Sequence, residues 1–336
     1  MAGRNVNELA NDMLLYCAQL QTSADLKMHV INLTHVAVDR DMQLVNTPTI
    51  FGLQLIGGVC DANTVDTLLV LLYNNKTMLR FVEIVGDVPE SVLIAIRDQA
   101  HVTNLRFCKC TDNMTKLYIP PKTAILSFSE CTMTELPDMD ANDTCCIREF
   151  YVLDTTITSL SGLPEMCCLE YMVLRNNQLH AVPPWTGKQN GRYEIRDEKN
   201  MTTIPSSVFC GNSPAELVIA GCPECQFPPV CEFTNQNLGS ILLSGFLGTH
   251  FPDIIGKLLL KSLTLIGCPN LAVLDTISIP VFTESLSTLR ITGCDKLDPA
   301  ILTGTHRYED NLVNIIIVQA KPFNIITSID ELQLRE

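Results

Sequence analysis

The sequence is poor in the residues that usually announce catalysis. It holds six histidines and one tryptophan in 336 residues, and only 18% of its side chains are charged. The G-x-S-x-G elbow, the Walker phosphate loop, HExxH and the kinase signatures are all missing. The histidines are scattered, and a lone one such as His180 or His250 reads as a surface residue rather than a base. The chain is therefore expected not to be an enzyme. Long apolar runs are missing too. The best stretch, 65–73, is about half of the roughly 20 residues that a membrane helix needs, so no membrane span is expected. Basic residues are few, 23 against 37 acidic ones, and a formal charge of −14 repels phosphate backbones. Nucleic acid is not an expected partner. The first 21 residues carry polar groups every two or three positions and lack the apolar core of a secretory signal, which points to a cytoplasmic protein, or to an extracellular one if the chain is a fragment.

What is present is ample apolar material, 46% of the chain, and an unusual supply of cysteine. Fifteen cysteines would suggest disulfides in a secreted protein. The number is odd, though, no export signal is seen, and many of the cysteines fall at places fixed by a repeat, so reduced thiols are expected. Five N-x-T sequons, at Asn32, Asn75, Asn113, Asn142 and Asn200, exceed the roughly three expected by chance too slightly to discriminate.

The repeat is a pair of apolar residues at i and i+2, two small or polar residues, then Cys or Asn. LTLIGC (Leu263, Leu265, Cys268), LRITGC (Leu289, Ile291, Cys294), LVIAGC (Leu217, Ile219, Cys222) and MVLRNN (Met172, Leu174, Asn177) are its clearest copies. With the apolar pair at positions 4 and 6, position 9 falls at Val36, Gly58, Ile84, Cys110, Cys131, Thr155, Asn177, Glu198, Cys222, Phe246, Cys268, Cys294 and Ala320. Cys and Asn make up 37 of 336 residues, so chance puts roughly one or two of them in those 13 places, against six found. Each copy reads as a short strand ending in a tight turn, unable to hide its apolar side alone, and stacking is the stable answer. In one dialect a Leu-Pro-like step follows, as at Leu136-Pro137, Val182-Pro183, Phe227-Pro228 and Phe251-Pro252. In the other an apolar residue comes three after Cys, as at Leu271 and Leu297.

These units, mixing LxxLxLxxN with cysteine-containing LxxLxLxxC copies, resemble the leucine-rich repeat proteins over about residues 28–325. The resemblance implies an α/β solenoid: a horseshoe with a concave parallel β-sheet and convex helices or turns. Ahead of it, Asn5 with Glu8 has the form of a capping box, and apolar residues recur at helical spacing from Val6 to Leu20. The organisation expected is thus an N-terminal capping helix over 1–27, about 13 repeats over 28–325, and a C-terminal tail or cap over 326–336. Outer helices are expected over 64–73 and 90–98.

Position 9 has a physical role. The turn leaving each strand carries backbone groups with no ladder partner, and a buried unsatisfied group costs about 1 to 3 kcal/mol. Asn can donate and accept there, and Cys fills the same volume with a weak S–H donor. Cys110, Cys131, Cys222, Cys268 and Cys294 are thereby expected to be structural. The pairs Cys145-Cys146 and Cys167-Cys168 recur one repeat apart and are expected to follow from repetition. A rival is a zinc site from Cys210, Cys222, Cys225 and Cys231, but Cys222 and Cys225 already match positions 9 and 12, and an isolated CxxC is a weak signal. No metal or other cofactor is expected.

Positions 2, 3, 5, 7 and 8 are expected on the sheet's outer, concave side, while 4 and 6 point inward, because side chains alternate. The middle repeats present Arg106, Lys109, Arg148, Tyr151, Asp154, Tyr171, Arg175, Arg192, Glu194 and Arg196 there, and these are the candidate partner-binding residues. Past about residue 200 the same positions carry small groups such as Ser240, Ser244, Thr264 and Gly267. Such a face either docks a protein or peptide or is a solvated surface of mixed charge. Twelve strand gaps of about 4.8 Å make an arc on the order of 60 Å, which suits a protein partner better than a small molecule. A non-catalytic interaction scaffold is the function expected, with an extracellular ligand-recognition fragment as the alternative. Trp185 is either an anchor beside this patch or a covered loop aromatic.

Overall fold

The computed structural model describes residues 28–32, 52–57, 65, 69, 72–73, 79–209, 213–228, 237–252, 255, 258–272, 286–297 and 314–318. The capping helix expected over 1–27, the tail 326–336, and Cys210 and Cys231 lie outside them. The chain divides into two compact units, residues 1–157 with 162–169, and residues 158–161 with 170–336. Each is a parallel-sheet β-solenoid with few helices.

In the first unit the strands are β1 (Met28–Asn32), β2 (Gly52–Ile56), β3 (Phe81–Val85), β4 (Asn104–Cys108), β5 (Lys116–Leu117), β6 (Ile125–Ser129), β7 (Asp138–Met139) and β8 (Glu149–Leu153). The five-residue strands pair in chain order, parallel and without a register slip, and β5 pairs β7 apart from them. In the second unit β9 (Tyr171–Arg175), β10 (Arg192–Arg196), β11 (Glu216–Ala220), β12 (Ser240–Ser244), β13 (Ser262–Ile266), β14 (Thr288–Thr292) and β15 (Asn314–Val318) follow the same rule. Side chains alternate along a strand, so in-register stacking aligns the apolar pairs into two continuous columns. Val82 and Ile84, Leu105 and Phe107, Leu126 and Phe128, and Phe150 and Val152 are completely buried in the first unit. Phe107 stacks on Phe128 at 5.3 Å, and Phe128 meets Phe150 edge-on at 6.3 Å. Met172 and Leu174, Tyr193 and Ile195, and Leu263 and Leu265 continue the pattern in the second. The helix expected over 90–98 is present as Glu90–Arg97, which buries Val92, Leu93 and Ile96. The expected outer helix over 64–73 is helical at each described residue, Val65, Leu69, Leu72 and Tyr73.

The register shifts from the expected series in two repeats. Ile84 lies opposite Phe107, so it is a position-6 residue and position 9 of its repeat is Asp87. Ile31 lies opposite Leu55, so it is a position-6 residue of the first repeat rather than the expected position 4, and Val36 lies outside the described residues. Glu198, by contrast, keeps its place, because Tyr193 and Ile195 align with Met172 and Leu174.

The residue just before position 9 forms a further column. Lys109, Glu130, Asp154, Asn176 and Asp197 all have φ between 51° and 56°, and glycine holds the left-handed conformation at Gly86, Gly221, Gly245, Gly267 and Gly293. This geometry turns the N–H toward the next rung of the same unit: Lys109 N donates to Ser129 O at 3.0 Å, Asp197 N to Ala220 O at 2.7 Å, and Gly267 N to Thr292 O at 2.7 Å. A left-handed residue with a side chain costs roughly 1 to 2 kcal/mol, less for Asn and Asp. Gly267→Ala is therefore expected to lower stability by about 1 kcal/mol through backbone strain alone, since a Cβ there meets nothing within 4 Å. Gly221→Ala should cost more, because its Cβ would overlap Asp197 Oδ1. Conversely, Lys109→Gly should be neutral or stabilising. Equal denaturation midpoints for the two alanine variants would refute this account.

The position-9 thiols act as donors. Cys131 Sγ donates to Ser129 O at 3.3 Å and Phe107 O at 3.7 Å, and Cys222 Sγ to Ala220 O at 3.3 Å and Ile195 O at 4.0 Å. Cys268 Sγ reaches Ile266 O and Leu243 O in the same way. Each thiol thus serves its own rung and the preceding one. Burial pushes the Cys222 thiol up to about 11 and that of Cys225 up to about 12, so both hold their protons.

Candidate functional site

In the first unit the outer face of the sheet carries a column at position 5. Gln54 Nε2 donates to Glu83 Oε2 at 2.6 Å, and Glu83 lies in register with Arg106. Arg106 is exposed, with its guanidinium 5.3 Å from the centre of the Phe81 ring. Tyr151 donates its hydroxyl to Glu149 Oε2 at 2.6 Å. Arg148 is exposed just before β8, its backbone N–H bound to Ala124 O. Lys109 and Asp154 sit in the left-handed turn column at the strand ends rather than within strands. Lys109 Nζ lies 3.6 Å from Glu130 Oε2 with both side chains well exposed, a pair worth little in water.

The second unit holds a denser arrangement. Glu194, in the centre of β10, is buried on the outer face, and its two oxygens are divided among three donors. Oε1 receives the Tyr171 hydroxyl at 2.8 Å and Arg192 Nη2 at 2.6 Å, and Oε2 receives Arg196 Nε at 2.6 Å. Arg192 also reaches Glu216 Oε2 at 3.2 Å, and its guanidinium lies 6.0 Å from the centre of the Tyr171 ring. Burial alone would raise the Glu194 carboxyl. The hydrogen bonds from Arg196 and Tyr171, with the charge of both arginines, outweigh it and hold the group below its ordinary value. Its stabilising contribution is present above the ordinary glutamate range and is lost as falling pH protonates it. The result is one connected network centred on Glu194. Two arginines are held at one end, and their side chains remain 44% exposed for Arg192 and 36% for Arg196.

The fold thus joins Tyr171, Arg192, Glu194 and Arg196 into one network, with Arg175 in register beside Arg196. One partner in this network, Glu216, was not among the expected residues. Glu216 stands one rung on from Arg192 at the same strand position, so opposite charge at matched positions of successive repeats was the available signal. Glu170 pairs with Lys188 at 2.5 Å, and Lys188 belongs to the inserted loop. Trp185 of that loop is a covered aromatic: it is 3% exposed, packs 5.8 Å from Tyr193, and donates Nε1–H to Lys188 O. Gly191 is required beneath it, since a Cβ there would sit within the Trp185 ring. Beyond β10 several outer positions are small and half-buried, among them Ser240, Ser244 and Thr264, although Glu216 and Arg290 are exposed.

Among the described residues no group of three or more His, Cys, Asp or Glu side chains is placed to hold a metal ion. No helix among them is long and apolar enough to cross a membrane. No protein-family model matches the chain, and no curated protein matches it.

Proposed function

We propose that the chain is a leucine-rich repeat protein without catalytic activity of its own, which binds a protein or peptide through the outer, concave face of its parallel sheet. The observation that carries this reading is the Tyr171–Arg192–Glu194–Arg196 network. A buried carboxylate that orders two half-exposed arginines and a tyrosine reduces the entropy that those long side chains would lose on docking, and Arg and Tyr are enriched where interfaces bind most strongly. A reducing, cytoplasmic setting accords with the position-9 thiols, whose S–H groups serve as donors and would lose that role in a disulfide.

The test is capture from a native extract on the immobilised full chain, read by mass spectrometry against Arg148→Glu combined with Arg175→Glu. Both arginines are exposed on the outer face, and the melting temperature of the double variant is measured alongside capture, so that lost binding is told apart from lost fold. The double variant is expected to lose more than about tenfold of the captured partner, equivalent to about 1.4 kcal/mol. Undiminished capture would remove the proposed surface from consideration.

A further inference from the structure

We propose that Cys145 and Cys167 form a dithiol site for exchange with low-molecular-weight disulfides, closing a reversible disulfide between neighbouring rungs of the first unit. These thiols differ from the position-9 cysteines. Cys145, Cys146 and Cys167 are exposed and Cys168 is half-exposed, whereas Cys110, Cys131, Cys222, Cys268 and Cys294 are buried. Chemistry from solution can reach the first group and not the second.

Their placement follows from two superposed turns. Thr144-Cys145-Cys146-Ile147 closes with Ile147 N donating to Thr144 O at 3.1 Å, and Met166-Cys167-Cys168-Leu169 closes with Leu169 N donating to Met166 O at 2.9 Å. Ile147 and Leu169 are both fully buried and pin the two turns to the core. The turns are also in contact. Thr144 Oγ1 donates to Glu165 O at 3.3 Å, and Cys167 Sγ lies 3.7 Å from Cys145 O. Equivalent Cα atoms on adjacent stacked rungs are about 4.8 Å apart, inside the range of roughly 4.4 to 6.8 Å that disulfides span. The competing closure is vicinal: Cys145 and Cys146 place their sulfurs 3.9 Å apart. Consecutive Cα atoms across a trans peptide are only about 3.8 Å apart, below that range, so the link between rungs is the less strained product.

The chemistry balances without a cofactor. The thiolate of one cysteine attacks a sulfur of glutathione disulfide, forming a mixed disulfide and expelling one glutathione thiolate. The other cysteine, losing its proton to solvent, then attacks the protein-side sulfur and expels the second. Two protein thiols become one disulfide, and one small disulfide becomes two thiols. The product ties two rungs together and holds their turns in a fixed register.

The site is tested on the full native chain in mildly alkaline glutathione buffers of rising oxidised fraction, quenched with acid, alkylated and digested with trypsin. Cleavage after Lys122, Arg148 and Arg175 separates peptide 123–148, which holds Cys145 and Cys146 with the buried Cys131, from peptide 149–175, which holds Cys167 and Cys168. The expected product is these two peptides joined by a disulfide, reversed by added reduced glutathione. Cys145→Ser and Cys167→Ser should each abolish it, and Cys146→Ser and Cys168→Ser should each retain it. A raised melting temperature on oxidation, absent in Cys145→Ser, is the second readout. Glutathione adducts alone, a vicinal link within 123–148, unmodified thiols, or a crosslink that survives Cys145→Ser would each overturn the proposal.

Discussion

Replacing Glu198 by glutamine should raise stability by about 3 kcal/mol at about pH 8 and change it little at about pH 4. Glu198 fills position 9 of its repeat, the place that other rungs give to Cys or Asn, and it is completely buried. Its Oε1 accepts from Asn177 N at 3.2 Å and from Asn177 Nδ2 at 2.7 Å, and Oε2 has no hydrogen-bond partner. Burial is the main cause that pushes its carboxyl from 4.5 up to about 7, and the Asn177 and Leu179 donors only partly offset it. Below the unfolded value both states carry the proton, and the full stability is present. As pH rises from 4.5 toward 7 the unfolded chain gives up its proton first, and stability falls by about 1.4 kcal/mol per pH unit until the folded group also ionises. A glutamine keeps the acceptor that Asn177 uses and never ionises. Chemical denaturation at several pH values tests this: the wild type should weaken on going from pH 4.5 to 7, and Glu198→Gln should not. Parallel pH profiles would show that the carboxyl is not what limits stability above neutral pH.

Much of the architecture was legible in the sequence because one periodicity serves two purposes. The i, i+2 apolar pair both forms a strand and supplies the core, so Leu263 with Leu265 or Tyr193 with Ile195 could be placed without coordinates. Glu198 was placed correctly for the same reason, although its side chain breaks the Cys/Asn rule. The register was lost where apolar residues were in surplus. Around β3, Leu79, Phe81, Val82 and Ile84 are all buried, so hydrophobicity alone could not choose between Leu79/Phe81 and Val82/Ile84 as the inward pair. The left-handed column was hard to see because Lys109 and Glu130 interrupt a series otherwise made of Asp, Asn and Gly. A conformation that the backbone ladder imposes leaves a signature only where Gly, Asn or Asp relieves it. The candidate surface was legible as a set of positions and not as a network. Alternation brought Arg192, Glu194 and Arg196 to one face, but the network also needs Tyr171, 23 residues before Glu194, and Glu216, 24 after Arg192. Strand register has to be known before those pairings can be read. Trp185 shows the converse limit, since a lone aromatic in a Gly- and Pro-rich loop gives no sign of which way it faces.

Leu265→Asp should reduce stability by about 4 kcal/mol or more, and Thr264→Asp, one residue away, by less than about 1 kcal/mol. Leu265 is completely buried in β13, between Leu243 and Ile291 in the position-6 column. Truncating a core leucine costs about 3 to 5 kcal/mol, and the carboxyl must also be desolvated or kept protonated. Thr264 is half-buried on the opposite face, where a carboxylate can remain in water. The contrast isolates alternation, because both variants place the same group on the same strand. Rungs touch only their neighbours, so damage at Leu265 should spread outward from β13. Amide exchange ought to quicken first in β12, β13 and β14, while β9 and β10 keep their protection longer. Uniform loss of protection through the second unit would mean that it unfolds as one cooperative body. Equal destabilisation by the two substitutions would mean that β13 does not separate a buried face from a wet one, and the solenoid reading of that unit would fail.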